Sequence, residues 1–224
     1  QQLLQQLNMI QGRGTIPDVK SYVLEHPAGR EWRQFHNVTL KWIGGIAIVG
    51  MLVILVLFYF WRGPMRVKSG YSGIAVLRFD MMERFVHWLT ASTFVVLGIT
   101  GLNITFGRAL LLPWMGPEAF STWSEWGKYT HNYLSFAFTI GVVLMSLMWI
   151  GRNLPTAADT EWLKLGGGMF DPSNNTHAPA HKFNAGQKIL FWLIVLASAA
   201  MIISGFMLLF PFYYGLTVGN MQLA

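Results

Sequence analysis

Four stretches of the chain carry no Asp, Glu, Lys or Arg: residues 43–61, 85–106, 129–150 and 189–218. The first holds 19 residues, the next two 22 each and the last 30. About 20 residues of helix cross a ~30 Å hydrocarbon core, so each stretch is long enough to span a membrane. A span in lipid has to satisfy its own backbone, which leaves the helix and the closed β-barrel. The period-2 alternation of barrel strands is absent, so the pattern predicts an all-α transmembrane helix bundle of four spans, about 43–61, 85–106, 129–150 and 189–211. The last stretch exceeds one span, and its end past Pro211 is expected at the interface. Residues 1–41 are polar and punctuated by Gly12, Gly14, Pro17, Pro27 and Gly29. They predict an extended arm lying on a partner, or failing that a disordered tail.

Composition sharpens this picture. The chain is 53% hydrophobic and 12% charged, where a soluble domain is about a quarter charged. Ten Trp and 16 Phe suit aromatic belts at two interfaces. The absence of Cys excludes disulfides, thiolate metal sites, iron–sulfur ligation and c-type haem attachment by this chain. The net charge of +6 is spread over loops beside apolar stretches and does not point to nucleic acid. Loops 62–84 and 151–188 carry nine Lys and Arg, against two in loop 107–128. The positive-inside rule then puts the first two loops in the cytoplasm and the N-terminus outside. Gly166, Gly167 and Gly168 lack the strand and helix context of a phosphate loop, and residues 171–175 read as turns.

Two histidines sit just inside apolar spans, His87 in Glu83-Arg84-Phe85-Val86-His87-Trp88 and His131 in Lys128-Tyr129-Thr130-His131-Asn132. A polar ring in such a place asks for a partner. The topology sets them at opposite faces of the membrane, so they cannot hold one iron. If both are ligands they mark two haem sites, one above the other, as electron transfer across a bilayer requires; the blander reading is an interfacial histidine packed beside an aromatic ring. The second ligands are open between His36 and His181, which topology permits, and a further helix beyond Ala224 with histidines about fourteen residues (~21 Å) apart, which we prefer. His26 and His177 lie among polar residues. Asn103 and Thr105 are expected to cap or to bond between helices, and Met145, Met148, Met201 and Met207 to pack. Asn184, Gly186 and Gln187 bring amide groups and open backbone to the cytoplasmic edge, on the His87 side. They suit a quinone headgroup, or simply a helix start with Asn184 as N-cap.

Arg84-Phe85-Val86-His87-Trp88, Lys128-Tyr129-Thr130-His131-Asn132, Asn153-Leu154-Pro155 and above all Lys182-Phe183-Asn184-Ala185-Gly186-Gln187-Lys188 before Phe191-Trp192 resemble the gamma (cytochrome b) subunit of respiratory formate dehydrogenase. The resemblance runs from about Arg78 to Phe212. It implies a di-haem cytochrome b domain over 78–224 holding three of the family's four helices, an additional N-terminal transmembrane helix over 42–62, and a periplasmic arm over 1–41. It implies His87 as axial ligand of the cytoplasmic-side haem b, His131 as axial ligand of the periplasmic-side haem b, and Asn184, Gly186 and Gln187 around quinone. The other two iron ligands would lie on a helix after Ala224. The implied partners are an iron–sulfur (beta) subunit, a molybdenum or tungsten pterin catalytic (alpha) subunit, quinone and membrane lipid, in the bacterial inner membrane. The cytochrome b subunit of a hydrogenase or another molybdoenzyme, and a non-redox membrane anchor, stand as alternatives.

Overall fold

Each apolar stretch becomes a helix in the computed structural model, which describes residues 27–64, 73–171, 176 and 178–210. In chain order these are α1 (Pro27–Gln34), a π-helical turn (Phe35–Leu40), α2 (Lys41–Arg62), α3 (Met81–Leu110), α4 (Leu112–Trp149), a 3₁₀ turn (Ile150–Arg152), α5 (Ala157–Lys164), a second 3₁₀ turn (Gly166–Gly168) and α6 (Ala185–Leu209). No strand occurs among the described residues. Among the described residues, four helices are long and apolar enough to cross a membrane: Glu31–Arg62, Met81–Leu110, Leu112–Arg152 and Ala185–Leu209.

Each of the four long helices starts before its apolar stretch, because capping and turn chemistry rather than hydrophobicity sets where a helix begins. α3 starts at Met81, where Asp80 accepts from the backbone N–H of Glu83 at 2.7 Å and Glu83 accepts in return from that of Asp80 at 3.0 Å. Residues 107–128, expected as a loop, are almost wholly helical. The one break in α4 is Gly116, at φ 75° and ψ 167°, before Pro117. Proline excludes a helical conformation from the residue before it, and glycine accepts the left-handed alternative. Residues 27–40 of the expected extended arm are helical too; residues 1–26 lie outside the described part, as do 172–175 and everything past Phe210.

The chain divides into two compact units between Gly50 and Met51, within α2. In the first, Trp32 lies 5.7 Å from the Phe35 ring and 6.1 Å from the His36 ring. In the second, α3 and α4 form an antiparallel pair: Glu83 meets Trp149, Thr90 meets Gly141, Phe94 meets Phe138 and Thr100 meets His131. The pair is tightest at Gly141, where a Cβ would stand 2.6 Å from Thr90 Oγ1 and 3.3 Å from Thr90 Cα. Helices in lipid gain little from burying apolar groups, so close backbone approach through small residues holds them. α6 packs on α4 and α5. The buried cluster of Val86, Met145, Trp149, Phe183 and Phe191 gathers where α3 begins, α4 ends and α6 begins. No residue of α2 is buried, as suits an apolar helix facing lipid, and its last residue, Arg62, donates to the carbonyls of Met169 at 2.6 Å and Asp171 at 2.8 Å.

Candidate functional site

His131 lies on α4 with its ring half-buried against α3, and its Nδ1 is 2.8 Å from Thr100 Oγ1. The Thr100 hydroxyl is also within 2.9 Å of the Val96 carbonyl and 3.1 Å of the Leu97 carbonyl, one turn back along α3. The Leu97 carbonyl is a backbone hydrogen-bond partner of the His131 ring as well. A Cβ on Gly101 would stand 3.5 Å from His131 Cε1, an ordinary contact, and one on Gly98 would meet nothing within 4 Å. The Thr100 contact fixes the level of His131 along α3. It lies thirteen residues above His87, or ~20 Å of helix rise.

His87 is one residue round from Val86, which is 1% exposed, so its ring leaves the buried stripe and is open. It stands edge-on to Trp88 at 5.5 Å and 6.5 Å from Trp149. One turn below it, the buried Glu83 carboxylate gathers the end of the bundle together. It accepts from Trp149 Nε1 at 3.1 Å, from Arg152 at 3.0 Å and from Lys182 Nζ at 2.8 and 3.1 Å, besides the backbone of Asp80. Trp192 Nε1 in turn donates to the Asn153 carbonyl at 3.0 Å, and Asn153 Nδ2 to the Trp149 carbonyl at 2.9 Å. The segment that positions His87 is thereby tied to both neighbouring helices.

The chain belongs to the prokaryotic cytochrome b561 family. The family's sequence model matches residues 78–224, from just before α3 through the last residue. Relatives carry the same stamp. The cytochrome b556(Fdn) subunit of nitrate-inducible formate dehydrogenase from Escherichia coli K12 is 23% identical over 62% of this chain and 61% of its own length. The formate dehydrogenase cytochrome b556 subunit of Haemophilus influenzae is 25% identical over 64% of this chain and 59% of its own. The cytochrome b556(fdo) subunit of Escherichia coli K12 formate dehydrogenase is 22% identical over 62% of each. The chain thus spans about three fifths of the length of the curated relatives it matches.

A b561-family cytochrome is an integral membrane protein that implies haem b, and the two histidines fit that group. His87 is exposed with ring contacts to Trp88 and Trp149, the His131 ring is half-buried against α3, and a Cβ on Gly98, just below Thr100, would meet nothing within 4 Å. His87 and His131 are too far apart to share one iron. Of the other histidines, His36 is exposed and bonded to Asn37 Oδ1 at 3.1 Å, His181 is exposed four residues before α6, and His26 and His177 lie outside the described residues. No cluster of three or more His, Asp or Glu that could hold a free metal ion occurs among the described residues.

Asn184 and Gln187 cap α6 reciprocally: Asn184 Oδ1 accepts from the Gln187 N–H at 2.9 Å, and Gln187 Oε1 accepts from the Asn184 N–H at 3.1 Å. Both side-chain oxygens are used, so both –NH₂ groups face outward from the cap. Gly186 is needed for packing, since a Cβ there would stand 2.8 Å from the Trp162 ring of α5. Behind them Lys188, 5% exposed, binds Asp159 at 2.7 Å, the Leu154 carbonyl at 3.0 Å and Thr156 Oγ1 at 3.3 Å. Asn103 reaches across the helix pair to Ser124 Oγ at 3.5 Å, the interhelical use expected of it, and its Oδ1 is buried without a partner.

Thr100 and Glu83 escaped the reading of the sequence as site residues. Threonine inside an apolar helix ordinarily bonds its own backbone, which masks a second role. For Glu83 a signal existed: an acid one turn before His87, with basic residues at 152 and 182 on the same side of the bundle.

Proposed function

We propose that this chain is the membrane-embedded cytochrome b subunit of a formate-oxidising respiratory complex, carrying electrons through two haem b groups to quinone. The observation that carries the proposal is the ~20 Å step between His87 and the His131–Thr100 level on one helix pair. That step is the spacing of two stacked sites within a ~30 Å hydrocarbon core. Haem, when bound, supplies a one-electron carrier at each level. His131 holds the periplasmic-side iron and His87 the cytoplasmic-side iron, each through one ring nitrogen; the second ligands come from beyond the described residues.

The charge asymmetry of the loops supports a cytoplasmic end at His87 and Asn184 and a periplasmic N-terminus in the bacterial inner membrane. At that end the free –NH₂ groups of Asn184 and Gln187 donate to quinone carbonyls, and the edge of the bundle admits protons from water. Formate is oxidised on a molybdenum or tungsten pterin (alpha) subunit, with an iron–sulfur (beta) subunit between. The names of the formate dehydrogenase relatives support this assignment.

Reduced-minus-oxidised spectra of membranes test it. His131→Ala removes the outer b-type signal and His87→Ala the inner one; survival of both signals in both variants sinks the ligand assignment. Gln187→Glu keeps an oxygen for the cap while removing the amide donor. It is expected to slow quinone reduction at least tenfold with both haems retained, measured by stopped-flow oxidation of the reduced haems.

A further inference from the structure

We propose that Thr100 is a positioning residue for the outer iron ligand: its Oγ1 accepts the Nδ1 hydrogen of His131, leaving the lone pair on Nε2 for iron. This rests on the reading of His131 as a haem ligand. A neutral imidazole carries one N–H, and the bond made by the other nitrogen decides which one it is. The Thr100 hydroxyl has a single hydrogen, and two carbonyls that can only accept, those of Val96 and Leu97, lie within 2.9 and 3.1 Å of its oxygen. With that hydrogen committed to the helix backbone, Oγ1 presents only lone pairs to His131 Nδ1, 2.8 Å away. The hydrogen of this contact therefore sits on Nδ1. Thr100 is 9% exposed. The Leu97 carbonyl, which can only accept, is a second partner of the His131 ring, and a Cβ on Gly101 would stand at ordinary van der Waals distance from it.

An acceptor on Nδ1–H makes the imidazole a more basic ligand, which favours ferric over ferrous iron. In the full-length chain within its membrane complex, Thr100→Val keeps the side-chain shape and removes the acceptor. It is expected to shift the one-electron equilibrium of the outer haem about tenfold toward the reduced form, ~59 mV more positive. The low-spin electron paramagnetic resonance signal of that haem should change with it. Thr100→Ser, which retains the hydroxyl, is expected to restore the native potential. An unchanged potential and signal in Thr100→Val, or a shift in Thr100→Ser as large as in Thr100→Val, overturns the inference. Should Thr100→Val assemble without the outer haem, Thr100→Ser decides alone: a native potential supports the inference and a shift of about tenfold overturns it. His131→Ala separates the two levels of argument. Retention of the outer haem there overturns the functional reading and this inference together. Its loss there, with no shift in Thr100→Val, overturns this inference only.

Discussion

Glu83 accepts hydrogen bonds from four groups on three segments of the chain, with its side chain 7% exposed. Buried charge is costly unless it is fully partnered, and removing one member leaves the others uncompensated. Glu83→Ala is therefore expected to destabilise the protein by about 3 kcal/mol, and to loosen the inner haem before the outer one, because His87 is one turn away. Thermal loss of the two b-type signals, followed separately, checks this. Asp159, in α5 outside the spans, is held below the ordinary carboxylate range, chiefly by the hydrogen bond from Lys188 and then by the backbone and hydroxyl of Thr156. A carboxyl whose pKa falls on folding adds stability above its unfolded value, near ~3.9, and loses it as pH drops through the lower folded value. Asp159→Asn should remove that acid-dependent component. Its thermal stability should fall below that of the native protein at pH 6, with the gap closing below about pH 4. At this scale the sequence made His87 and His131 legible, because a titratable ring in an apolar run has few explanations. It left Asn184 and Gln187 open between cap and ligand site, and the geometry shows why: the capping box uses only their oxygens.

The helices themselves were legible as elements and less so as lengths. Absence of charge marks where lipid begins, whereas Asp80, Asn184 and the Gly116–Pro117 pair mark where helices begin or break, and the two do not coincide. The residues just outside the uncharged stretches 85–106 and 129–150 are still helical, so a loop expected over 107–128 became the top of a hairpin. Helix pairing was not legible, because it depends on which small residue faces which. Gly141 against Thr90 is the closest such point. Gly141→Ala is expected to cost about 1–3 kcal/mol by overpacking, with partial recovery in the double variant Gly141→Ala, Thr90→Ala, which removes the nearest obstructing atom. Unfolding in graded detergent mixtures would measure both, and equal losses in single and double variants would exclude a direct clash.

At the scale of the whole molecule, the number of spans and the two-level layout of the histidines followed from apolar runs and loop charge. What remained hidden was how the levels are related, which the contact between His131 and Thr100 gives. That contact also gives the molecule an electrical property. A step of ~20 Å within a ~30 Å core covers about two thirds of the membrane field. Moving one elementary charge through the full field is worth ~2.3 kcal/mol per 100 mV, so an electron passing from the His131 level to the His87 level feels ~1.5 kcal/mol per 100 mV. In sealed vesicles with an imposed diffusion potential, the redox balance between two haems at these levels is expected to shift about tenfold for each 100 mV. A balance that ignores voltage would mean that both irons sit at one depth. For two haems held at these levels, the register that sets His131 against Thr100 would be the distance over which an electron works against the membrane potential.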